Sequence, residues 1–232
     1  MPATLTSLFT PANLINGSWS FEGDGTFNTV VDKYHGTELA RIPHATEAQM
    51  EEAIAAAYAS RDALRKTSAG ERSAKLDALA DRIAKHEAEV VELMVKEAGK
   101  PIGAARIEVA RSITTVRTAA AEALRFSGEV TPMDFGAGAG KTAFTKRFPI
   151  GVIAAITPFN FPLNLVLHKV APAMAVGCPV VLKPSPQAPL CSYALARFLE
   201  ATGAPKGPAP LLMRAAPVAP PRSRGDSGGA RG

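Results

Sequence analysis

The residues of this chain that could do chemistry gather in two short turns. The first is Ile156-Thr157-Pro158-Phe159-Asn160-Phe161-Pro162. It follows the apolar run Gly151-Val152-Ile153-Ala154-Ala155-Ile156 and leads into a helical stretch, the place where open α/β sheets bind ligands. A carboxamide N–H from Asn160 in that turn can donate to an oxyanion formed in acyl chemistry, worth roughly 3 kcal/mol when preorganised. The plainer alternative is that Asn160 caps the helix that follows. The second turn, Lys183-Pro184-Ser185, ends another apolar run. Its ammonium and hydroxyl suit ribose hydroxyls or phosphate, the alternative being a solvated loop lysine.

Other candidates carry less. Gly136-Ala137-Gly138-Ala139-Gly140-Lys141-Thr142 invites a phosphate-loop reading, but Phe135 stands where the loop needs its first glycine, and a strand-like run follows instead of a helix. A flexible hairpin turn is the better reading. The two cysteines, Cys178 and Cys191, cannot build a disulfide framework, which fits a reducing compartment. Both read as small apolar residues. His35, His44, His86 and His168 show no metal-ligand spacing, so no metal is expected.

The elements that must position these turns follow from periodicity. Residues 9–45 read as two or three short strands with tight turns at Asn16-Gly17 and Gly23-Asp24-Gly25. Capping boxes at Thr46/Gln49 and Ser68/Glu71 start helices over about 47–66 and 69–85. Met50, Ile54, Ala57 and Tyr58 are the expected inner face of the first, and Leu76, Leu79, Ala80 and Ile83 that of the second. Helices over about 86–98 and 102–126 follow, the last inward through Ile102, Val109, Ile113 and Val116. Residues 129–148 read as a projecting hairpin. Gly151–Ile156 reads as a strand buried on both faces, and helix 162–176, strand 180–182 and helix 189–202 follow.

The fold class is therefore α/β: an incomplete doubly wound, Rossmann-like parallel sheet with a right-handed crossover, preceded by a helical N-terminal region and a projecting β-hairpin. The expected divisions are 1–128, 129–148, 149–207 and 208–232. The last segment holds five Pro, five Ala, four Gly and four Arg without periodicity. It reads as disordered, an extension out of frame with what precedes it.

With 232 residues, 47% apolar and 20% charged, the composition is that of a soluble globular protein. No run is long enough for a membrane span and the N-terminus has no signal-peptide pattern, so a cytoplasmic protein without membrane partners is expected. The net charge of +5 is concentrated in 208–232, where Arg214, Arg222, Arg224 and Arg231 face only Asp226. The rest is nearly balanced and carries no nucleic-acid motif or basic stripe.

The motifs Arg147-Phe148-Pro149-Ile150-Gly151-Val152, Thr157-Pro158-Phe159-Asn160-Phe161-Pro162-Leu163, Lys169-Val170-Ala171-Pro172-Ala173 and Val180-Val181-Leu182-Lys183-Pro184-Ser185 occur in that order. Upstream stand Ile15-Asn16-Gly17, Glu71-Arg72, Glu97-Ala98-Gly99-Lys100-Pro101 and Glu108-Val109. Together they resemble the NAD(P)-dependent aldehyde dehydrogenase superfamily over about residues 9–207. The resemblance implies oxidation of an aldehyde to a carboxylic acid with NADP or NAD. It implies that Asn160 stabilises the oxyanion, that Lys169 supports the active site, and that Ile156, Thr157, Pro158 and Phe159 line the cofactor. It further implies that Lys183 and Ser185 contact the adenosine ribose, and that the complete enzyme is a homo-oligomer.

Pro186 stands where the family often has a glutamate that grips the ribose hydroxyls. Its absence removes repulsion against a 2′-phosphate, so NADP is expected to be tolerated or preferred. The family's catalytic thiol and general-base glutamate lie beyond the likeness, so the chain alone is expected to be inactive. One alternative is a noncatalytic fragment that docks on a full-length dehydrogenase through 129–148. Another, weaker, is a minimal nucleotide-binding module. The turn wording also resembles branches that act on small, sometimes anionic, aldehydes.

Overall fold

Asn16 and Gly17 adopt positive φ (48° and 73°), the backbone that two-residue hairpin turns require. They fold β1 (Asn13–Ile15) back onto β2 (Ser18–Ser20) in antiparallel register. A second antiparallel pair, β3 (Phe27–Val31) with β4 (Glu38–Pro43), completes the N-terminal strands. The computed structural model describes residues 7–203; the expected unstructured segment 208–232 lies outside the described residues.

Both capping boxes form. Thr46 and Gln49 cap α1 (Glu47–Lys66), and Ser68 and Glu71 cap α2 (Ala69–Lys85), each pair exchanging side-chain and backbone bonds reciprocally. We expect Thr46→Ala and Ser68→Ala each to lower the unfolding free energy by about 1 kcal/mol, read as a reduced urea midpoint at unchanged slope. Two more helices, α3 (Glu87–Ala98) and α4 (Ile102–Arg125), finish the helical block, and α2 packs along α4.

The hairpin comes next, with β5 (Val130–Thr131) paired to β6 (Ala143–Phe144) around a 3₁₀ turn at Gly136–Gly138. It is shorter than its alternating sequence suggests. Val130, Phe135 and Phe144 are exposed on it, and a Cβ at Gly128 would strike the Thr145 carbonyl, so the strands cross there only because the side chain is absent.

The βα units follow as β7 (Ile153–Ile156), α5 (Asn164–Val176), β8 (Val180–Lys183) and α6 (Leu190–Glu200). β7 and β8 pair in parallel, with Ile153 opposite Val180 and Ile156 opposite Lys183. α5 lies against α4, and α6 against α3, so the helical block forms the floor on which the two units rest. The architecture is an α/β fold of helices with small sheets.

Three expected faces are corrected. The inner face of α1 is Ala53 and Ala57, whereas Ile54 and Tyr58 are exposed. Small residues allow α1 close to β1 and β8, and the larger apolar side chains lie about 100° round the helix. On α4 the inward stripe is Ala105, Val109, Ser112 and Val116, with Ile102 exposed. β7 is not buried on both faces: Ala155 is buried but Ala154 and Ile156 are exposed, because successive side chains point to opposite faces and among the described residues only the face of Ala155 is covered. Helix α5 also begins at Asn164, two residues after Pro162.

Candidate functional site

The parallel register brings the ends of β7 and β8 side by side, and the Thr157 amide donates to the Lys183 carbonyl (3.3 Å). Both chemistry-bearing turns therefore open from one edge of the sheet. Around the first turn, Ile156 and Phe159 are 67% and 50% exposed, and Pro158 and Asn160 are also exposed. Thr157 is buried beneath them, and its Oγ1 has no hydrogen-bond partner among the described residues. An apolar ledge over an unpartnered hydroxyl suits a planar ring bearing polar substituents.

Asn160 does not cap α5. The N-cap position is Leu163, which has no side-chain bond. The cap comes instead from Glu108 on α4, whose Oε1 accepts from the Leu163 and Asn164 amides (3.0 and 3.1 Å). Its other oxygen accepts from Lys100 Nζ (2.5 Å), and the same ammonium donates to the Asn160 carbonyl (3.1 Å) and lies 3.8 Å from the Phe161 ring centroid. The Asn160 backbone is pinned while its side chain is left at the surface, so the alternative of a helix cap is set aside.

A parallel arrangement serves the second unit. Glu97, fully buried on α3, accepts from the Leu190 and Cys191 amides (2.6 and 2.9 Å) at the start of α6. Burial pushes its carboxyl up to about 7, while those amides and the Lys33 charge pull the other way. Both helix N-termini are thus already occupied by carboxylates, so neither positive helix end is free for a phosphate. An anion at this edge would depend on side chains.

Lys183 is half-buried and desolvation lowers its ammonium below the usual value, which does not fit a freely solvated loop lysine. Ser185 Oγ accepts from the Gln187 amide (3.3 Å), and the Pro186 carbonyl accepts from Asn28 Nδ2 (2.9 Å). This ties the second turn to the N-terminal strands. Lys169 stands apart, exposed on α5, with no hydrogen bond linking it to the Asn160 turn. Its neighbour His168 lines a groove of about 510 Å³ between α4 and α5, floored by Ala119 and Ala175.

Neither thiol is placed to act. Cys178 and Cys191 are both buried, and burial together with the Glu97 carboxylate raises the Cys191 thiol well above its usual range, the reverse of a nucleophile's environment. Among the described residues no His, Cys, Asp and Glu cluster could hold a metal ion, and no helix is long and apolar enough to cross a membrane.

Periodicity alone does not single out Glu97, Lys100 or Glu108, which enter the sequence reading only through their motifs. A signal was nonetheless present. Glu108 shares the inward stripe of Ala105, Val109 and Ser112, and Glu97 that of Val90, Leu93 and Met94. A carboxylate on an apolar stripe must find donors.

The chain is similar in sequence and in fold to known proteins. The 3-sulfolactaldehyde dehydrogenase of Priestia aryabhattai is 41% identical over 195 residues, covering 83% of this chain and 40% of that protein. The NADP-dependent glyceraldehyde-3-phosphate dehydrogenase of Bacillus halodurans, solved with NADP, superposes with a TM-score of 0.85 at 33% identity over 89% of this chain and 44% of that one. An NAD-dependent benzaldehyde dehydrogenase of Corynebacterium glutamicum superposes with a TM-score of 0.81 at 32% identity, over 88% of this chain and 44% of that one. The chain thus spans about two-fifths of the length of the curated relatives it matches. A profile described as the aldehyde dehydrogenase family matches residues 19–218, so residues 208–218 fall within the matched span. With most of its length matched in sequence and in three dimensions, the chain belongs to the aldehyde dehydrogenase family.

Proposed function

We propose that this chain carries the nucleotide side of an NAD(P)-dependent aldehyde dehydrogenase, with Asn160 as the oxyanion donor. The observation that carries this reading is the pinned turn at the shared edge of β7 and β8. Its backbone is held by Lys100 and Glu108, and its carboxamide lies at the surface with no hydrogen bond among the described residues. A nicotinamide cofactor supplies the hydride acceptor. Ile156, Thr157, Pro158 and Phe159 form the ledge for its ring and adjoining phosphates, and the unpartnered Thr157 hydroxyl is available to a polar group there. Lys183 and Ser185 face the adenosine ribose, and the desolvated Lys183 ammonium gains most by pairing with an anion.

The Asn160 carboxamide N–H stabilises the oxyanion that forms when a nucleophile adds to the aldehyde carbon, and it acts only in that charged state. Lys169 supports the same region from α5, beside the groove at His168. The Rossmann-like character of β7–α5–β8–α6 and the divisions 1–128, 129–148 and 149–207 belong to this reading, as does homo-oligomerisation of a complete enzyme. The relatives named for sulfolactaldehyde and for glutarate and succinate semialdehydes support a small anionic aldehyde as substrate.

The chain supplies the oxyanion donor and the ledge but no activated thiol, since both of its cysteines are buried. We therefore expect no reduced nicotinamide above background when the purified chain is incubated with NAD or NADP and a panel of small aldehydes, succinate semialdehyde included. Sustained turnover would refute this. At the ribose, Pro186 places no carboxylate against a 2′-phosphate. Pro186→Glu is expected to weaken NADP binding about tenfold relative to NAD, measured by calorimetry of both nucleotides; equal effects on the two would contradict the assignment.

One observation favours a second reading, a noncatalytic fragment that docks on a full-length dehydrogenase. The 129–148 hairpin leaves Val130, Phe135, Phe144 and Phe148 exposed, more apolar surface than a free hairpin usually presents. Co-purification with a full-length homologue, lost on Phe144→Asp, would support it; a strictly monomeric sample that captures no homologue would not.

A further inference from the structure

The Lys100 ammonium joins Glu108, eight positions on, to the adjacent Asn160 and Phe161, some sixty positions on. It donates to Glu108 Oε2 at 2.5 Å and to the Asn160 carbonyl at 3.1 Å, and it sits 3.8 Å from the Phe161 ring centroid. Its side chain is 13% exposed and that of Glu108 is fully buried. Glu108 in turn holds the Leu163 and Asn164 amides. Pro158 and Pro162 bracket the turn and carry no N–H, so neither can donate a hydrogen bond to the Asn160 carbonyl. Among the described residues no other hydrogen bond from outside the turn reaches Asn160.

We infer that Lys100 is a positioning residue: with Glu108 as its counter-charge, it clamps the main chain of Asn160 and thereby fixes the point at the end of β7 from which the carboxamide projects. The Cα position and backbone angles of Asn160 fix the bond from which its carboxamide projects and limit its rotamers, and the carbonyl is the handle by which those are held. The charge serves the clamp in a second way. A neutral donor would leave Glu108 uncompensated beneath the turn, whereas the ammonium satisfies a carboxylate, a carbonyl and an aromatic face at once. This inference rests on the reading of Asn160 as the oxyanion donor only for its functional meaning; the clamp itself is a property of the unliganded chain.

The test is amide hydrogen exchange and NMR on the full chain without nucleotide. Lys100→Met alone strands a buried carboxylate, so the working variant is Lys100→Met with Glu108→Gln. This removes both charges and keeps an acceptor for Leu163 and Asn164. Expected are exchange rates at Phe159, Asn160 and Phe161 raised about tenfold beyond any rise across α2, which reports the overall loss of stability, and a displaced Asn160 carboxamide signal. Wild-type exchange and signal position in that variant would overturn the clamp.

A direct measurement on the wild-type chain stands in if the variant does not fold. The Lys100 ammonium should give a slowly exchanging proton signal with contacts to the Phe161 ring, and loss of that signal into bulk exchange in the cold at pH 6 would overturn the inference. NADP affinity is measured separately. A loosened turn with unaltered affinity keeps the clamp and removes the turn from the cofactor wall.

Discussion

Glu108→Ala is expected to cost about 3–5 kcal/mol of unfolding free energy, the range for breaking a buried pair by removing one partner. The Leu163 and Asn164 amides, which stay buried at the start of α5, lose their acceptor, and the Lys100 ammonium loses its counter-charge and keeps only the Asn160 carbonyl. No water-exposed route compensates, since the Glu108 side chain is completely covered. The loss is comparable to much of a typical domain's total stability of roughly 5–15 kcal/mol, so the variant is expected to unfold at a far lower urea concentration. Glu108→Gln keeps one acceptor for the helix amides and is expected to lose less than half as much. Equal losses for the two variants would show that packing, not the cap and clamp, is what Glu108 contributes.

The second large effect is a pH dependence carried by Glu97. Its carboxyl titrates near 7 in the folded chain against 4.5 for the ordinary group, chiefly because burial disfavours the anion. Below pH 4.5 both folded and unfolded chains hold the proton. Between 4.5 and 7 only the folded chain does, so stability falls as pH rises through this window and levels off above it. At 1.36 kcal/mol per pH unit, the fall integrates to about 3 kcal/mol. Urea unfolding at pH 5 and pH 8 is expected to show this loss in the wild-type chain and its absence in Glu97→Gln. Parallel pH profiles for the two proteins would mean that Glu97 is ionised throughout and that its bonds to Leu190 and Cys191 dominate.

The part of this fold that sequence makes legible is the part whose contacts are local. Thr46 with Gln49 and Ser68 with Glu71 are three residues apart, and both helix starts are placed by them. Asn16-Gly17 is legible for the same reason, since the turn conformation is a property of two residues. The caps from Glu108 and Glu97 span 55 and 93 positions. No local rule reaches that far, which is why Asn160 remains a plausible cap for α5 until the structure assigns that role to Glu108.

The misplaced faces have a common origin. Reading Ile54, Tyr58 and Ile102 as inward weights side-chain size, whereas α1 approaches its sheet through Ala53 and Ala57. Close packing depends on small residues as much as on large ones. The two turns at the sheet edge were legible because a continuous apolar run ending in Thr-Pro or Lys-Pro marks both a buried strand and its end. What holds those turns in place was not, because it comes from helices α3 and α4.

If the common edge of β7 and β8 is a nucleotide site, a titration of the isotope-labelled chain with NADP reads it most directly. The amide signals of Ile156, Thr157, Phe159, Lys183 and Ser185 are expected to shift together with one dissociation constant, tighter for NADP than for NAD, while α2 stays unmoved. A saturating titration in which those signals stay still, or in which only residues remote from this edge respond, would contradict it.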